Sequence, residues 1–163
     1  MEPETEEALK RVHMLFKDND LTLSIAESCT GGLVSHYVTT LAGASRFFTA
    51  GIVSYSEQIK INVLGVSPDV CHAHGVVSEE MARDMAEKVR LLAETDFSLA
   101  TTGNLGPDVL EGKQKGLIYI ASSTEGRTVS KELRLRGTRE ENKEKAARSA
   151  LELLIECVED KQK

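Results

Sequence analysis

Apolar and polar residues alternate along residues 21–26, which is the pattern of a half-buried β-strand. A polar segment, residues 27–30, comes directly after this strand, and a glycine pair, Gly31 and Gly32, follows the polar segment. Apolar residues then recur at helical spacing in residues 33–41. The pattern therefore predicts a strand, a glycine-rich turn and a helix, with a carboxylate, two hydroxyls and a thiol gathered at the turn.

The rest of the chain is predicted to alternate between helices and strands in the same way. The last helix begins with a capping-box pattern, in which Thr138 caps the helix and Glu141 reaches back to the cap. Further strands are expected at residues 47–55, 97–102, 116–123 and 128–135, and further helices near Pro3, Ser56, Pro68 and Ser78.

Strands that alternate with helices are typical of α/β proteins. The last two strands are separated by a short turn at Glu125 and Gly126, which predicts an antiparallel hairpin, and the partial alternation of the final strand favours a sheet edge. We therefore predict a three-layer α/β/α sandwich with a mixed, mostly parallel sheet and an antiparallel edge hairpin. The 163 residues are expected to form a single domain, residues 1–163.

The composition is that of an ordinary folded protein, with 40% hydrophobic and 28% charged residues. A net charge of −6 argues against nucleic acid as a partner, because phosphate backbones require clustered Lys and Arg. The three cysteines are odd in number and far apart, so no disulfide framework is expected, and a cytoplasmic setting is predicted. No apolar run is long enough to span a membrane, and the acidic start of the chain does not resemble a signal peptide.

Three polar turns are expected at one edge of the sheet, because the carboxyl ends of parallel strands meet there. They comprise residues 27–32, 55–60 and 102–107. Ser28 and Lys60 lie in two of these turns, and a lysine whose pKa is lowered by burial can act as the base that makes a serine nucleophilic. The residues alone leave a second interpretation open, in which Ser28 is a helix cap and Lys60 is a solvated surface residue.

Two further groups of residues suggest other chemistry. Cys29 is an alternative nucleophile to Ser28, although adjacent side chains in a tight turn cannot both face one substrate. Cys71, His72 and His74 supply three potential metal ligands, but a fourth ligand is lacking nearby. The favoured interpretation is that Cys71 packs in the core and that His74 ends a helix, so no metal is expected.

A dinucleotide-dependent oxidoreductase is disfavoured. Tyr55 and Lys60 stand five positions apart, one more than in the Tyr-x-x-x-Lys pair of short-chain dehydrogenases. In addition, no Gly-x-Gly-x-x-Gly sequence follows a predicted strand. No cofactor is therefore expected.

Several short sequences together point to one known family. They are the run Ala26-Glu-Ser-Cys-Thr-Gly-Gly32, the pattern Tyr55-Ser-x-x-x-Lys60, residues 74–80, and Thr102-Gly103 with Gly106-Pro107. These sequences resemble the C-terminal domain of the competence/damage-inducible CinA proteins. The resemblance extends from about residue 5 to residue 159, and the first two patterns in combination are specific to this family.

The resemblance implies an amidohydrolase that converts nicotinamide mononucleotide and water into nicotinate mononucleotide and ammonia. By it, Ser28 is the nucleophile, Lys60 is the general base, and Tyr55 orients the site or relays the proton. It implies a small nucleotide substrate and no metal. The implied substrate-binding residues are Glu27, Thr30, Gly31, Gly32, Thr102, Gly103 and Arg139, with the glycine-rich backbone holding the oxyanion or the ribose phosphate and Arg139 pairing with the phosphate.

The chain departs from the family pattern in its substrate-binding segments. Residues 103–110 read Gly-Asn-Leu-Gly-Pro-Asp-Val-Leu where the family has Gly-Ile-Ala-Gly-Pro and then a glycine pair, and here only Gly112 follows. Thr138 stands where the family has an Asp, and Lys143 stands where it has a second Arg. Arg139 is equally compatible with a surface residue of the capping box.

These departures motivate an alternative function, a catalytically silent nucleotide-binding domain of the same family. A competence or repair factor that contacts DNA is disfavoured by the net charge of −6. A homo-oligomer, a dimer or larger, is expected because small enzymes commonly assemble.

Overall fold

Five strands and six helices make up the chain, and the computed structural model describes residues 1–163. The chain also has two short helical segments, a 3₁₀ turn at Ala44–Arg46 and a π-helical turn at Lys60–Leu64. The strands are β1 (Leu23–Glu27), β2 (Phe48–Val53), β3 (Phe97–Gly103), β4 (Leu117–Thr124) and β5 (Arg127–Arg134). The helices are α1 (Pro3–Asp18), α2 (Leu33–Thr40), α3 (Glu57–Ile59), α4 (Pro68–His74), α5 (Glu79–Ala93) and α6 (Arg139–Gln162).

The strands form one sheet in the order β2-β1-β3-β4-β5. Strand β1 pairs in parallel with β2 and β3, while β4 runs antiparallel to β3 and forms a hairpin with the edge strand β5. Glu27, the last residue of β1, stands level with Val53 of β2 and Thr101 of β3. The carboxyl ends of the three parallel strands therefore meet at one edge of the sheet, and the turns that follow them come together there.

Helices cover both faces of the sheet, which confirms the predicted three-layer α/β/α sandwich. On one face α1, α2 and α6 pack on large apolar strand residues such as Ile25, Leu99 and Ile118. On the other face α5 packs on small strand residues, and the buried hydroxyls of Ser24 and Ser98 donate to carbonyl groups of that helix. The small side chains let α5 lie close to the sheet. The larger of the two apolar cores lies under α1, α2 and α6.

Two boundaries near Lys60 differ from the prediction. Strand β2 ends at Val53 rather than at residue 55, because the chain then turns the carbonyl groups of Ser54 and Tyr55 towards the Lys60 amine. The helix that follows is regular only in α3 and then widens into the π-helical turn, which begins at Lys60. Wide turns of this kind are often found at functional sites.

The longer helices carry the caps that the sequence predicts. Ser78 accepts a bond from the amide of Met81 at the start of α5, and Thr138 and Glu141 make both bonds of a capping box at the start of α6. These bonds satisfy amide groups that the first turn of a helix leaves without partners. None of the six helices is both long enough and apolar enough to cross a membrane.

Candidate active site

The turn after β1 is organised by the carboxylate of Glu27, which is fully buried. One carboxylate oxygen accepts bonds from the hydroxyl of Thr30 at 2.6 Å and from the amides of Gly32 and Val34 at 3.1 Å. The other oxygen accepts bonds from the amide and the hydroxyl of Ser35, both at 2.8 Å. Glu27 therefore caps the start of α2, whose amide groups would otherwise lack acceptors.

The amides of Gly31 and Gly32 are already bonded within the turn, so this geometry does not support their predicted role as donors to an oxyanion or a phosphate. Gly31 donates to the carbonyl of Ser28 at 3.1 Å, and Gly32 donates to Glu27. Glycine is needed at both positions for another reason, since φ is 60° at Gly31 and 100° at Gly32, a region that other residues rarely adopt. Glu27 and Thr30 likewise hold the turn in shape through their bonds, and their role in substrate binding stays a prediction.

Two other amides of the same turn have no protein acceptor. The N–H groups of Cys29 and Thr30 donate to no carbonyl or side chain, whereas every amide from Gly31 to Ser35 has an acceptor. Both free amides directly follow Ser28. In hydrolases built on a strand–turn–helix corner, the amide after the nucleophile is a common donor of the oxyanion hole.

Ser28 and Lys60 are brought together by the turns after β1 and β2. The lysine Nζ lies 2.8 Å from Ser28 Oγ, 2.7 Å from the carbonyl oxygen of Ser54 and 3.3 Å from that of Tyr55. Lys60 is 1% exposed and Ser28 is 8% exposed. When protonated, the amine donates to all three oxygens; when neutral, it donates to the two carbonyls and its lone pair can accept the Ser28 hydroxyl proton.

Burial lowers the pKa of Lys60 to about 8, because the charged form loses its hydration. The neighbouring acidic groups of Cys29, Cys71 and Glu57 act in the opposite direction but less strongly. Lys60 takes part in no salt bridge. Its uncharged form is therefore populated near neutral pH, as a general base requires.

Cys29 is poorly suited to act as the nucleophile. Burial raises the pKa of its thiol to about 12, so the thiol stays protonated at neutral pH and lacks the reactive thiolate. Cys29, Cys71 and Cys157 are all unpaired and buried. Of the two candidate nucleophiles in the turn, Ser28 is the one that has a base beside it.

Tyr55 meets the Ser28–Lys60 pair through its backbone and not through its phenol. Its carbonyl oxygen accepts a bond from Lys60, whereas its side chain is 61% exposed and its hydroxyl accepts a bond from Arg139 at 3.1 Å. A role of the phenol in orienting the site or relaying a proton stays a prediction that these contacts do not support. Tyr55, Arg139 and Cys29 instead line a cavity of about 210 Å³ beside the Ser28 turn.

The loop between β3 and β4 closes the other side of this cavity and contributes Leu105, Val109 and Leu110 to its lining. Asn104 holds the loop in place, since its side-chain oxygen accepts the amide of Leu110 and its side-chain nitrogen donates to the carbonyls of Leu110 and Lys113. Asn104 is one of the residues that depart from the family pattern. The departing loop therefore has its own set of hydrogen bonds.

A second set of bonds ties the same loop to the segment before α5. Glu111 accepts bonds from the amides of Val76 and Val77, and Thr102 donates its hydroxyl proton to the carbonyl of Val76. Thr102 thus supports that segment, while Gly103 lines the cavity itself. The part played by Glu111 has no local signal in the sequence, because its backbone partners lie 35 and 34 residues away.

Basic side chains from the start of α6 face this region. Arg139 donates to the carbonyl of Gly106 at 2.7 Å as well as to Tyr55. Lys143, one helical turn further on, has its amine 3.6 Å from the point that a Cβ on Gly31 would occupy. The two side chains place positive charge beside the Ser28 turn, where a phosphate or carboxylate can pair with it.

Cys71, His72 and His74 do not form a cluster. Cys71 packs in the apolar core under α5, and His72 is exposed. His74 is the last residue of α4, and its Nδ1 lies 3.6 Å from a carboxylate oxygen of Glu80. No three side chains of His, Cys, Asp or Glu come together as a metal site would require.

Comparison with known proteins identifies the family of the chain. The model of the CinA C-terminal domain matches residues 5–158. The chain belongs to the CinA C-terminal domain family. The resemblance inferred from the short sequence patterns is therefore confirmed.

Curated relatives carry names that fit this family. A competence-damage inducible protein from Thermoanaerobacter pseudethanolicus is 41% identical over 150 residues, which are 91% of this chain and 36% of that protein. A protein of the same name from Acetivibrio thermocellus is 47% identical over 123 residues, which are 75% of this chain and 30% of that protein. The chain thus spans about a third of the length of these relatives.

Solved structures of CinA proteins have the same fold. The CinA superfamily protein from Enterobacter cloacae matches with a TM-score of 0.91 at 31% identity, over 94% of this chain and 92% of that chain. The competence/damage inducible protein CihA from Agrobacterium tumefaciens matches with a TM-score of 0.91 at 33% identity, over 95% and 96% of the two chains. The open, mixed five-stranded sheet with helices on both faces is thus a fold of the CinA superfamily.

Replacing Glu27 by Gln is expected to lower the free energy of unfolding by about 3 kcal/mol, because the charged acceptor of five bonds is lost and an NH₂ group faces other donors. Urea unfolding followed by circular dichroism measures the change. Glu125→Gln, in the exposed turn between β4 and β5, is the matched control. Equal losses in the two variants would contradict the capping role of Glu27.

Proposed function

We propose that the protein is an amidohydrolase in which Ser28 is the nucleophile and Lys60 is the general base. The observation that carries this proposal is the 2.8 Å contact between the buried Lys60 amine and the Ser28 hydroxyl. A serine hydroxyl is a weak nucleophile until a neighbouring base removes its proton. A lysine can perform that task when burial brings its pKa towards neutral pH, and the pKa of Lys60 is lowered to about 8.

In the first half of the proposed reaction, Lys60 takes the hydroxyl proton as Ser28 Oγ attacks the carbonyl carbon of the substrate amide. The carbonyl oxygen becomes an oxyanion, for which the free amides of Cys29 and Thr30 supply donors. The C–N bond of this intermediate then breaks, and protonated Lys60 gives its proton to the departing nitrogen. Ammonia leaves, and the acyl group stays on Ser28 as an ester.

In the second half, water takes the place that the serine held in the first. Lys60 accepts a proton from the water as its oxygen attacks the ester carbonyl. The C–O bond to Ser28 then breaks, and Lys60 returns the proton to the serine oxygen. The products are a carboxylic acid and the free enzyme, so one water is consumed and one ammonia is released for each amide.

The proposed substrate is nicotinamide mononucleotide, as the family resemblance implies. The apolar residues Leu105, Val109 and Leu110 supply a lining that suits an aromatic ring. Arg139 and Lys143 supply cations for the phosphate of a nucleotide. The proposal concerns this domain alone, since the chain spans about a third of the length of its curated relatives.

A nucleotide-binding domain without catalysis is the alternative, and the sequence departures in residues 103–112 motivate it. The structure favours a working enzyme, because Asn104 keeps the departing loop hydrogen-bonded and the Ser28–Lys60 contact is present. Binding of the nucleotide without release of ammonia would support the alternative.

Ser28→Ala is expected to reduce ammonia release from nicotinamide mononucleotide at least about a thousandfold, because no other nucleophile is activated in the turn. Cys29→Ser, at the neighbouring position, is the matched control and is expected to keep most of the activity. A coupled ammonia assay on purified variants measures both. Full activity in Ser28→Ala, or its loss in Cys29→Ser alone, would contradict the assignment of the nucleophile.

The value of kcat/KM is expected to rise with pH and to reach half of its maximum near pH 8, because Lys60 must lose its proton before it can act as a base. Lys60→Arg is expected to be inactive at every pH, since a guanidinium stays protonated. Lys145→Met, at an exposed position of α6, is the control and keeps the wild-type profile. A wild-type profile that is flat across this range would rule out Lys60 as the base.

Arg139→Gln is expected to raise KM for nicotinamide mononucleotide about tenfold or more, because a bond between charged groups is lost. The same change should leave the turnover of nicotinamide riboside, which lacks the phosphate, nearly unaltered. Arg136→Gln, three residues earlier and exposed, is the matched control. Equal losses with the two substrates would argue against a phosphate contact at Arg139.

A further inference from the structure

Three arginine side chains line a cavity at the opposite edge of the sheet from Ser28. Arg83 and Arg90 belong to α5, and Arg127 is the first residue of β5. The cavity has a volume of about 370 Å³. It lies beside the hairpin turn between β4 and β5, which is level with the start of β3, whereas Ser28 follows the end of β1. The cavity is therefore separate from the candidate active site.

This arginine cavity concentrates positive charge on a protein whose net charge is −6. Glu87 is the one carboxylate in its lining, and it accepts a bond from a threonine hydroxyl at 2.9 Å. Arg83 and Arg90 take part in no salt bridge, and Arg127 has only a long one to Asp160, at 3.5 Å. Three guanidinium groups against one carboxylate leave two positive charges unbalanced within the lining.

Arg90 also has a side-chain donor without an acceptor in the protein. Its Nε is buried and bonds to no group of the protein. A buried donor that stays unpaired costs about 1–3 kcal/mol, and more when the group is charged, so such donors are normally satisfied by the protein or by a bound molecule. Arg83 has one guanidinium nitrogen 3.1 Å from the hydroxyl of Ser130, which fixes its position and leaves its other donors available.

The remaining lining is almost entirely polar. Ser123, Thr124 and Thr128 contribute hydroxyl groups, and Leu91 is the one apolar side chain. Lys161 lies next to the cavity, with its Nζ 2.8 Å from the hydroxyl of Thr124. Such a lining offers donors to several oxygen atoms of one small group and little surface to an apolar ligand.

We infer that the arginine cavity binds the phosphate group of a small phosphorylated molecule, in addition to the proposed amidohydrolase site. A phosphate monoester carries a charge of about −1.5 to −2 at neutral pH, which matches the unbalanced charge of the lining. Its oxygen atoms can accept paired hydrogen bonds from guanidinium groups on two different elements, whereas a carboxylate, with two oxygens, pairs in this way with one guanidinium group. The negative charge of the whole protein disfavours an extended nucleic acid as the ligand.

The test is a calorimetric titration of the whole chain with inorganic phosphate at low ionic strength. We expect saturable binding that Arg90→Gln and Arg83→Gln each weaken at least about tenfold, because each removes bonds between charged groups. Two control variants are expected to keep this binding. Arg134→Gln changes an exposed residue on the same strand as Arg127, and Arg139→Gln removes the cation proposed for the active site.

Three results would overturn the inference. Phosphate could fail to bind saturably, its binding could persist when Arg90→Gln and Arg83→Gln are each made in the Arg139→Gln background, or succinate could bind more tightly than phosphate. Circular dichroism shows whether each variant is folded, and Arg83→Gln gives an answer even where Arg90→Gln does not fold. A failure to release ammonia from nicotinamide mononucleotide would bear only on the proposed function, so the two ideas fail separately.

Discussion

The buried carboxylate of Glu27 is the constraint on which the candidate site depends. It accepts the amide bonds at the start of α2 and thereby fixes the backbone that carries Ser28. The start of a helix is an attractive position for any anion. Because Glu27 already fills that position, the proposed phosphate would pair instead with the basic side chains of α6. The same carboxylate therefore holds the Ser28 turn in shape and closes the start of α2 to a second anion.

The second half of the site depends on how the chain turns after β2. In a continued β-strand the successive carbonyls of Ser54 and Tyr55 would point to opposite sides of the strand, so both could not face one amine. The short strand and the π-helical turn instead enclose the Lys60 amine among two carbonyl oxygens and the Ser28 hydroxyl. None of these three groups carries a charge, so the buried surroundings favour the neutral amine over the ammonium ion.

Much of the fold could be predicted because it follows from local patterns. Alternation and helical spacing located the strands and most of the helices, and parallel strands bring their carboxyl ends to one edge whatever their side chains. The proximity of Ser28 and Lys60 followed from that rule. Side-chain partners were harder to predict, since a bond such as that of Glu111 to Val76 joins residues far apart in the chain. One signal for Glu27 was present, because Gly32 stands at the cap position of α2 and has no side chain to fill that role.

Burial of the Lys60 amine without a counter-ion suits its proposed role as a base but lowers the stability of the fold. The pKa of Lys60 is about 8 in the native protein against an ordinary value of 10.5, so between these values the unfolded chain binds more protons than the native one. The free energy of unfolding consequently falls as the pH is lowered from about 10.5 to about 8. At neutral pH the buried lysine therefore destabilises the native state. A copy of the domain released from any need to catalyse would gain stability from an apolar residue at this position. The proposed role of Lys60 as a general base would account for this cost.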